Sequence, residues 1–254
     1  MHSLDFTRPQ VMGIVNITPD SFYDGGSFLD ADRAYAHIKE LAANGADIID
    51  VGAESTRPGF QPISCAEEMR RLAPLFTLLR QSPNIPLSID TSKPEIAAEA
   101  IKAGFTIINN TGRELPRKMA ELAADSGAYL VHMFWGPFEG EDVAAKLKSF
   151  FNRRIKQSLN CGVRRDRLIL DPGIGFDMEP VDCVAIMRNL DRLRSFSLPI
   201  LVGLSNKRFI GAVSGAPLAQ RLSANIAAEL CAVASGVSIL RVHNVEASVY
   251  ALRM

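Results

Sequence analysis

The chain has 254 residues, 47% of them hydrophobic, and balances 28 Lys and Arg against 28 Asp and Glu. That length suits one (β/α)8 barrel of ~250 residues, and the unbroken composition offers no linker at which to divide it into two domains. The charge balance excludes a surface field that would draw nucleic acid or an anionic membrane, and no run reaches the ~18 apolar residues of a spanning helix.

The start, Met1-His2-Ser3-Leu4-Asp5-Phe6, lacks the basic and apolar regions of a signal peptide. Cys65, Cys161, Cys183 and Cys231 show neither C-x-x-C nor zinc-type spacing. Most of them fall in or at the ends of predicted helices, where a free thiol commonly serves as a small buried apolar group. The expectation is a reduced, cytoplasmic protein.

In chain order, Gln10 to Asn16 reads as the first strand, followed by a long loop, Ile17 to Gly26, rich in turn residues and acids. Asp30 is placed to cap the first helix, with Ala34, Ile38 and Leu41 on its inner face and Gly45 as its stop. The second strand, Asp47 to Gly52, empties into Ala53-Glu54-Ser55-Thr56-Arg57-Pro58-Gly59. Ser64-Cys65-Ala66-Glu67 is a capping box, and Pro74 should bend the second helix or mark a late start.

Pro86 to Asp90 is the third strand, with Ser92-Lys93-Pro94-Glu95 opening its helix and Gly104 ending it. Phe105 to Asn109, Ala128 to His132, Leu168 to Asp171, Pro199 to Gly203 and Val237 to Val242 complete the strands. Between the fifth and sixth, Val143, Leu147, Phe151, Ile155 and Leu159 recur every four residues as a helix. A helix from Leu218 to Ser235 precedes the last strand, and a short one follows Asn244. Near-continuous apolar runs are the mark of parallel strands buried on both faces. The alternation predicts a (β/α)8 barrel, with a doubly wound open sheet as the structural alternative.

Polar residues repeatedly close or follow these runs: Asn16, Arg57, Asp90, Asn109, Asp171, Lys207, Arg241 and His243. In a barrel, those positions share the face where active sites are built. Each has a plainer reading. Asp90 can cap a helix, Asn109 can form a turn, and Arg57, Lys207 and Arg241 can be surface charges. Taken together, two carboxylates and an amide suit a flat heterocycle with ring N–H groups, and the cations suit an oxyanion or diphosphate. Asn16 could add a neutral ligand for a divalent ion carried by the phosphates. No Walker A, G-x-G-x-x-G or H-E-x-x-H motif is present.

The stretch Met12-Gly13-Ile14-Val15-Asn16-Ile17-Thr18-Pro19-Asp20-Ser21-Phe22-Tyr23-Asp24-Gly25-Gly26 and the segment Glu54-Ser55-Thr56-Arg57-Pro58-Gly59 resemble those of the dihydropteroate synthase family. The resemblance continues at Ser88 to Thr91, Ile107 to Asn110, Val131-His132-Met133, Asp171 to Phe176, Val202 to Lys207 and Arg241-Val242-His243. It implies a (β/α)8 barrel that joins 6-hydroxymethyl-7,8-dihydropterin diphosphate to 4-aminobenzoate and releases diphosphate. It further implies that Asp90, Asn109, Asp171 and Lys207 hold the pterin, and that Asn16, Arg57, Arg241 and His243 hold the diphosphate and its magnesium, with Asn16 as the metal ligand. Phe22, Pro58, Phe176 and Ser205 would line the aminobenzoate side; Thr56, Met133 and Gly203 are further substrate-binding positions. Asp90, Lys207 and Arg57 are the residues expected to carry catalysis, and a homodimer through helices six to eight is implied.

Departures from the family pattern are Asn206 for the usual Arg, Asn110 for the usual Asp, Asp177-Met178-Glu179 for the usual Gly-Lys, and Phe134-Trp135-Gly136-Pro137 after His132-Met133. They remove positive charge nearest the second substrate. A methyltetrahydrofolate-dependent methyltransferase, or a pterin-binding paralogue with another nucleophile or no catalysis, are the competing readings.

Overall fold

A computed structural model describes residues 4–17, 27–54, 61–80, 85–138 and 142–254, with side chains from residue 31 in the first helix. Among the described residues eight strands form: β1 (Gln10–Asn16), β2 (Ile48–Gly52), β3 (Leu87–Asp90), β4 (Ile107–Asn110), β5 (Tyr129–Met133), β6 (Leu168–Asp171), β7 (Leu201–Gly203) and β8 (Ile239–Val242). All pair in parallel in the order β6-β5-β4-β3-β2-β1-β8-β7. Leu170 bridges to Ile200, and Leu170 N donates to Pro199 O at 2.9 Å, so β6 meets β7 and the sheet closes into the expected barrel.

The helices α1 (Ser27–Ala43), α2 (Cys65–Leu79), α3 (Pro94–Lys102), α4 (Arg117–Ser126), α5 (Val143–Asn160), α6 (Pro180–Met187), α7 (Arg208–Ser214), α8 (Leu222–Ala234) and α9 (Val245–Leu252) form the outer layer. Between them and the strands lies the larger apolar core, which includes Ile38, Leu72, Ile96, Phe105 and Phe151. A second cluster, with Met12, Ile48, Ile107, Val131, Ile169, Leu201 and Ile239, fills the barrel itself. Leu4 and Phe6 plug its base beside Tyr129.

The boundaries differ from the sequence reading where local chemistry competes. Asp30 lies inside α1, which begins at Ser27, and so is not its cap. Ser64 does cap α2, accepting from Glu67 N at 3.2 Å, but the Glu67 side chain turns to Arg70 and Arg71. α2 runs through Pro74 without interruption from Cys65. At α3 the cap position is Lys93, whose side chain is drawn away to two carboxylates, while Pro94 takes the first turn as expected.

The four-residue repeat of α5 buries Leu147, Phe151 and Ile155 but leaves Leu159 exposed. Each four-residue step overshoots a 3.6-residue turn by ~40°, so the stripe rotates out of the core. The helix expected from Leu218 starts at Leu222, preceded by a 3-10 turn and by α7. Cys183 is buried as expected, but Cys231 is exposed on α8.

Candidate active site

Side chains along a strand alternate between faces, so a residue two positions after one in the barrel interior also points inward, one level higher. Above Ile48, Ile107, Val131, Ile169, Leu201 and Ile239 of the interior cluster come Asp50, Asn109, Met133, Asp171, Gly203 and Arg241. β3 contributes Asp90 above Ser88 in the same way, and register sets Asp90 beside Asn109 and Met133 beside Asp171. The level above the apolar filling is therefore polar, and it opens at the carboxyl ends of the strands.

Arg241 is the hub of that level. Its Nε donates to Asp50 Oδ2 at 2.6 Å and its Nη2 to Asp90 Oδ2 at 2.7 Å. Asn109 Nδ2 donates to the same Asp50 oxygen at 3.2 Å, and the Thr111 hydroxyl donates to Asp90 Oδ1 at 2.8 Å. Asp50 Oδ1 and Asn109 Oδ1 are buried and accept no hydrogen bond among the described residues. Asp171 Oδ1 accepts from Gly173 N at 2.7 Å, which holds the carboxylate against the start of its loop. The resemblance puts Arg241 with the diphosphate residues; in the structure its side chain lies between the carboxyl groups of Asp50 and Asp90.

Burial dominates the electrostatics. Desolvation pushes the Asp90 carboxyl up to about 7 against the opposing pull of Arg241, and Asp171 up to about 6 against Lys207. Desolvation lowers Lys207 to about 8, with Asp171 as the main opposing influence. For Arg241 desolvation is again the largest single influence, but Asp50 and Asp90 together outweigh it and hold the guanidinium charged.

Lys207 Nζ donates to Ile174 O and lies 4.3 Å from the centre of the Phe176 ring. Phe176 in turn meets Trp135 edge-on, 5.1 Å between centroids. Asn16 ends β1 at the mouth, half-buried, and no described hydrogen bond engages its amide. Ser205 and His243 stand together: Ser205 Oγ accepts from His243 N at 3.4 Å, and both line a cavity of about 210 Å³ with Asn206, Asn225 and Glu229. Phe22, Thr56, Arg57 and Pro58 lie outside the described residues.

Three of the departure residues have local polar partners. Asn110 braces the β4 loop, donating to Glu114 O at 3.0 Å and accepting from Gly112 N at 3.2 Å. Asn206 adopts a left-handed backbone (φ 62°) and exchanges hydrogen bonds with Asn225. Asp177, also left-handed (φ 56°), pairs with Arg113 at 2.8 Å.

Sequence reasoning missed two features. Asp50 sits in mid-strand, and attention to strand ends passed over it; an acid two positions after an interior Ile was its signal. The other is a buried ion cluster behind the mouth: Lys93 bridges Glu54 and the fully buried Glu68, and the Thr91 hydroxyl donates to Glu68 at 2.8 Å. No sequence pattern announced that α2, α3 and the end of β2 would meet there.

A sequence model described as pterin binding enzyme matches residues 12–243. Dihydropteroate synthase of Escherichia coli strain K12 is 37% identical over 260 residues, covering 99% of this chain and 92% of that protein. A crystal structure of the Clostridium difficile dihydropteroate synthase, determined in the presence of pteroic acid, superposes with a TM-score of 0.93 at 39% identity, covering 98% of this chain and 95% of that one. The Xanthomonas albilineans dihydropteroate synthase with 4-aminobenzoic acid gives 0.92 at 40% identity, covering 98% and 93%.

Proposed function

Because the chain belongs to the pterin binding enzymes, as a member of the dihydropteroate synthase family, we propose that it joins 6-hydroxymethyl-7,8-dihydropterin diphosphate to 4-aminobenzoate, giving 7,8-dihydropteroate and diphosphate. The observation that carries this reading is the convergence of Asp50, Asp90, Asn109, Asp171 and Arg241 at one level of one barrel mouth, with Lys207 close to Asp171.

A pterin presents ring N–H donors in a plane. Carboxylates accept such donors in charge-assisted bonds, and the free acceptor oxygens of Asp50 and Asn109 suit them. Lys207, beside Asp171 and Ile174 O, supplies a donor for a ring acceptor. Breaking the carbon–oxygen bond leaves positive charge on the pterin methylene, which the buried carboxylates stabilise at close range in a site of low dielectric. Negative charge gathers on the departing diphosphate, where we assign Arg57 as the cation and His243 as a further hydrogen-bonding partner. The amine lone pair then closes on the methylene, and its N–H proton passes to solvent or to diphosphate. Phe176 and Ser205 form the described part of the wall on the amine side.

Among the described residues no group of three or more His, Cys, Asp or Glu is arranged to hold a metal ion. We read a magnesium ion as a passenger of the diphosphate, with phosphate oxygens, waters and the Asn16 amide oxygen as ligands. Bound there, it would neutralise the leaving group.

Val181, Val213, Leu218, Leu222 and Leu230, on and between α6, α7 and α8, are exposed apolar residues on the helices to which we assign the homodimer surface. Unpaired thiols at all four cysteines support placing the protein in the cytoplasm. The test of the reaction is diphosphate release from the pterin diphosphate with magnesium, with and without 4-aminobenzoate. Amine-dependent release with dihydropteroate as product is the expected result; binding without amine-dependent release would overturn it.

A further inference from the structure

Trp135 is the chain's single tryptophan, and it stands where the loops after β4, β5, β6 and β7 meet. Its Nε1 donates to Thr111 O at 2.8 Å, and the Thr111 hydroxyl in turn reaches Asp90. Its ring meets Phe176 edge-on, and Lys207 Nζ lies over that same phenyl ring. The Arg113 guanidinium covers the indole at 4.9 Å and is itself fixed by Asp177, the residue after Phe176. Arg113, Trp135, Phe176 and Lys207 thus follow one another as cation, ring, ring and cation across the mouth.

Directed contacts, rather than close packing, hold this column. Beside the indole lies a cavity of about 740 Å³ lined by Arg113, Phe134, Phe150 and Arg154 as well as Trp135. A side chain bordering open space could take several rotamers, yet the Nε1 bond, the edge contact and the guanidinium select one. Two of the residues involved, Trp135 and Asp177, stand where the chain departs from its family's pattern.

We propose that Trp135 is a positioning residue for the second substrate: clamped by Thr111 and Arg113, it sets the pose of Phe176 and hence the wall against which the aromatic amine lies. This rests on the reading of Phe176 as part of the amine side. The pterin is held one level deeper, chiefly by Asp50, Asp90, Asn109 and Asp171 on the strands themselves, with Lys207 reached only beyond Phe176, so the clamp acts mainly on the amine. The chain thereby rebuilds with two rings in edge contact what it lost in positive charge at Asp177 and Asn206.

The experiment is steady-state kinetics in both substrates for the full chain and its Trp135→Ala, Trp135→Phe and Arg113→Ala variants, with calorimetric titration of the pterin diphosphate alone. Trp135→Ala is expected to raise KM for 4-aminobenzoate by about tenfold, the upper range of an aromatic pair, with pterin diphosphate affinity within about twofold. Trp135→Phe, which keeps a ring but loses the Nε1 donor, should recover to within about threefold of the parent chain. Arg113 is exposed, so Arg113→Ala reads the same effect in a folded protein even where Trp135→Ala fails to fold. Equal rises for both substrates, or no rise for the amine in any variant, would overturn the proposal. If the unmodified chain releases no diphosphate with 4-aminobenzoate, the functional reading itself falls, and the proposed amine wall with it; failure confined to the variants counts against the clamp alone.

Discussion

Arg241 Nη2 lies 2.7 Å from Asp90 Oδ2, tying β8 to β3 across the barrel mouth, while its Nε takes Asp50 from β2. One guanidinium therefore bridges two carboxyl groups, of which Asp50 is fully buried. Removing one partner of a buried charge group is far more costly than never having built it, because the remaining charge cannot be rehydrated.

Arg241→Met should accordingly lower stability by about 3–5 kcal/mol at neutral pH. The sign of its pH dependence follows from Asp90, whose carboxyl is raised to about 7 by burial even with Arg241 in place. A group with a raised folded-state value is stabilising while protonated, and that contribution is lost as pH rises through the raised value. Without Arg241 the value climbs further, so the deficit should be larger at pH 8 than at pH 5.5. Urea unfolding at the two pH values checks this; an equal deficit at both would show that Asp90 does not feel Arg241.

Catalysis should follow a bell in pH. The pterin side needs Asp90 and Asp171 as carboxylates, and their values of about 7 and about 6 set an acid limb on which kcat/KM rises with pH. The alkaline limb belongs to Lys207, whose ammonium is lost as pH rises through about 8. Lys207→Arg keeps its charge throughout and should abolish the alkaline limb while reducing the maximum, since a guanidinium does not fit a point-charge site. A profile flat from pH 6 to 9 in the parent chain would contradict these assignments.

Gly173 couples the Asp171 loop to the β5 exit. A Cβ there would lie 1.8 Å from Phe134 O, and the backbone is left-handed at φ 64°. Gly104 provides the control, being left-handed at φ 100° with nothing within 4 Å of an added Cβ. Gly104→Ala should lose only the backbone cost, about 1–3 kcal/mol. Gly173→Ala should lose more, and should also displace the Trp135 loop and depress turnover. Thermal melting compared with kcat/KM for the pair separates the two effects, and equal behaviour would refute the steric argument.

Most of the barrel was legible because parallel strands and their glycine stops write their signals locally: Gly45 and Gly104 end α1 and α3 where expected, both left-handed. Strand ends such as Asp90, Asn109 and Asp171 were legible for the same reason. Asp50 was not, since its significance depends on barrel closure, which turns a mid-strand side chain inward beside Arg241, 191 residues away in sequence. The cap position of α3 falls on Lys93, an ammonium with no acceptor for a backbone N–H, so the terminus goes without a side-chain cap; the Lys93 contact with Glu54 and Glu68 depends on the packing of α2 against α3.

That ion cluster yields the last prediction. Glu68 is fully buried, its Oε1 taken by the Thr91 hydroxyl and its Oε2 by Lys93 at 2.6 Å. Lys93→Met strands Glu68 without a cation and should destabilise the chain by about 3–5 kcal/mol, whereas Lys93→Met combined with Glu68→Met removes both charges and should recover much of the loss. Glu54, the other partner of Lys93, is the last described residue before the segment that carries Thr56 and Arg57. Its carboxylate loses its anchor in both variants. KM for the pterin diphosphate should therefore stay raised in the double variant, by about threefold or more, even after stability returns. Unfolding curves read the first effect and substrate kinetics the second; a double variant with normal KM would mean that Lys93 stabilises the barrel without steering the β2 loop.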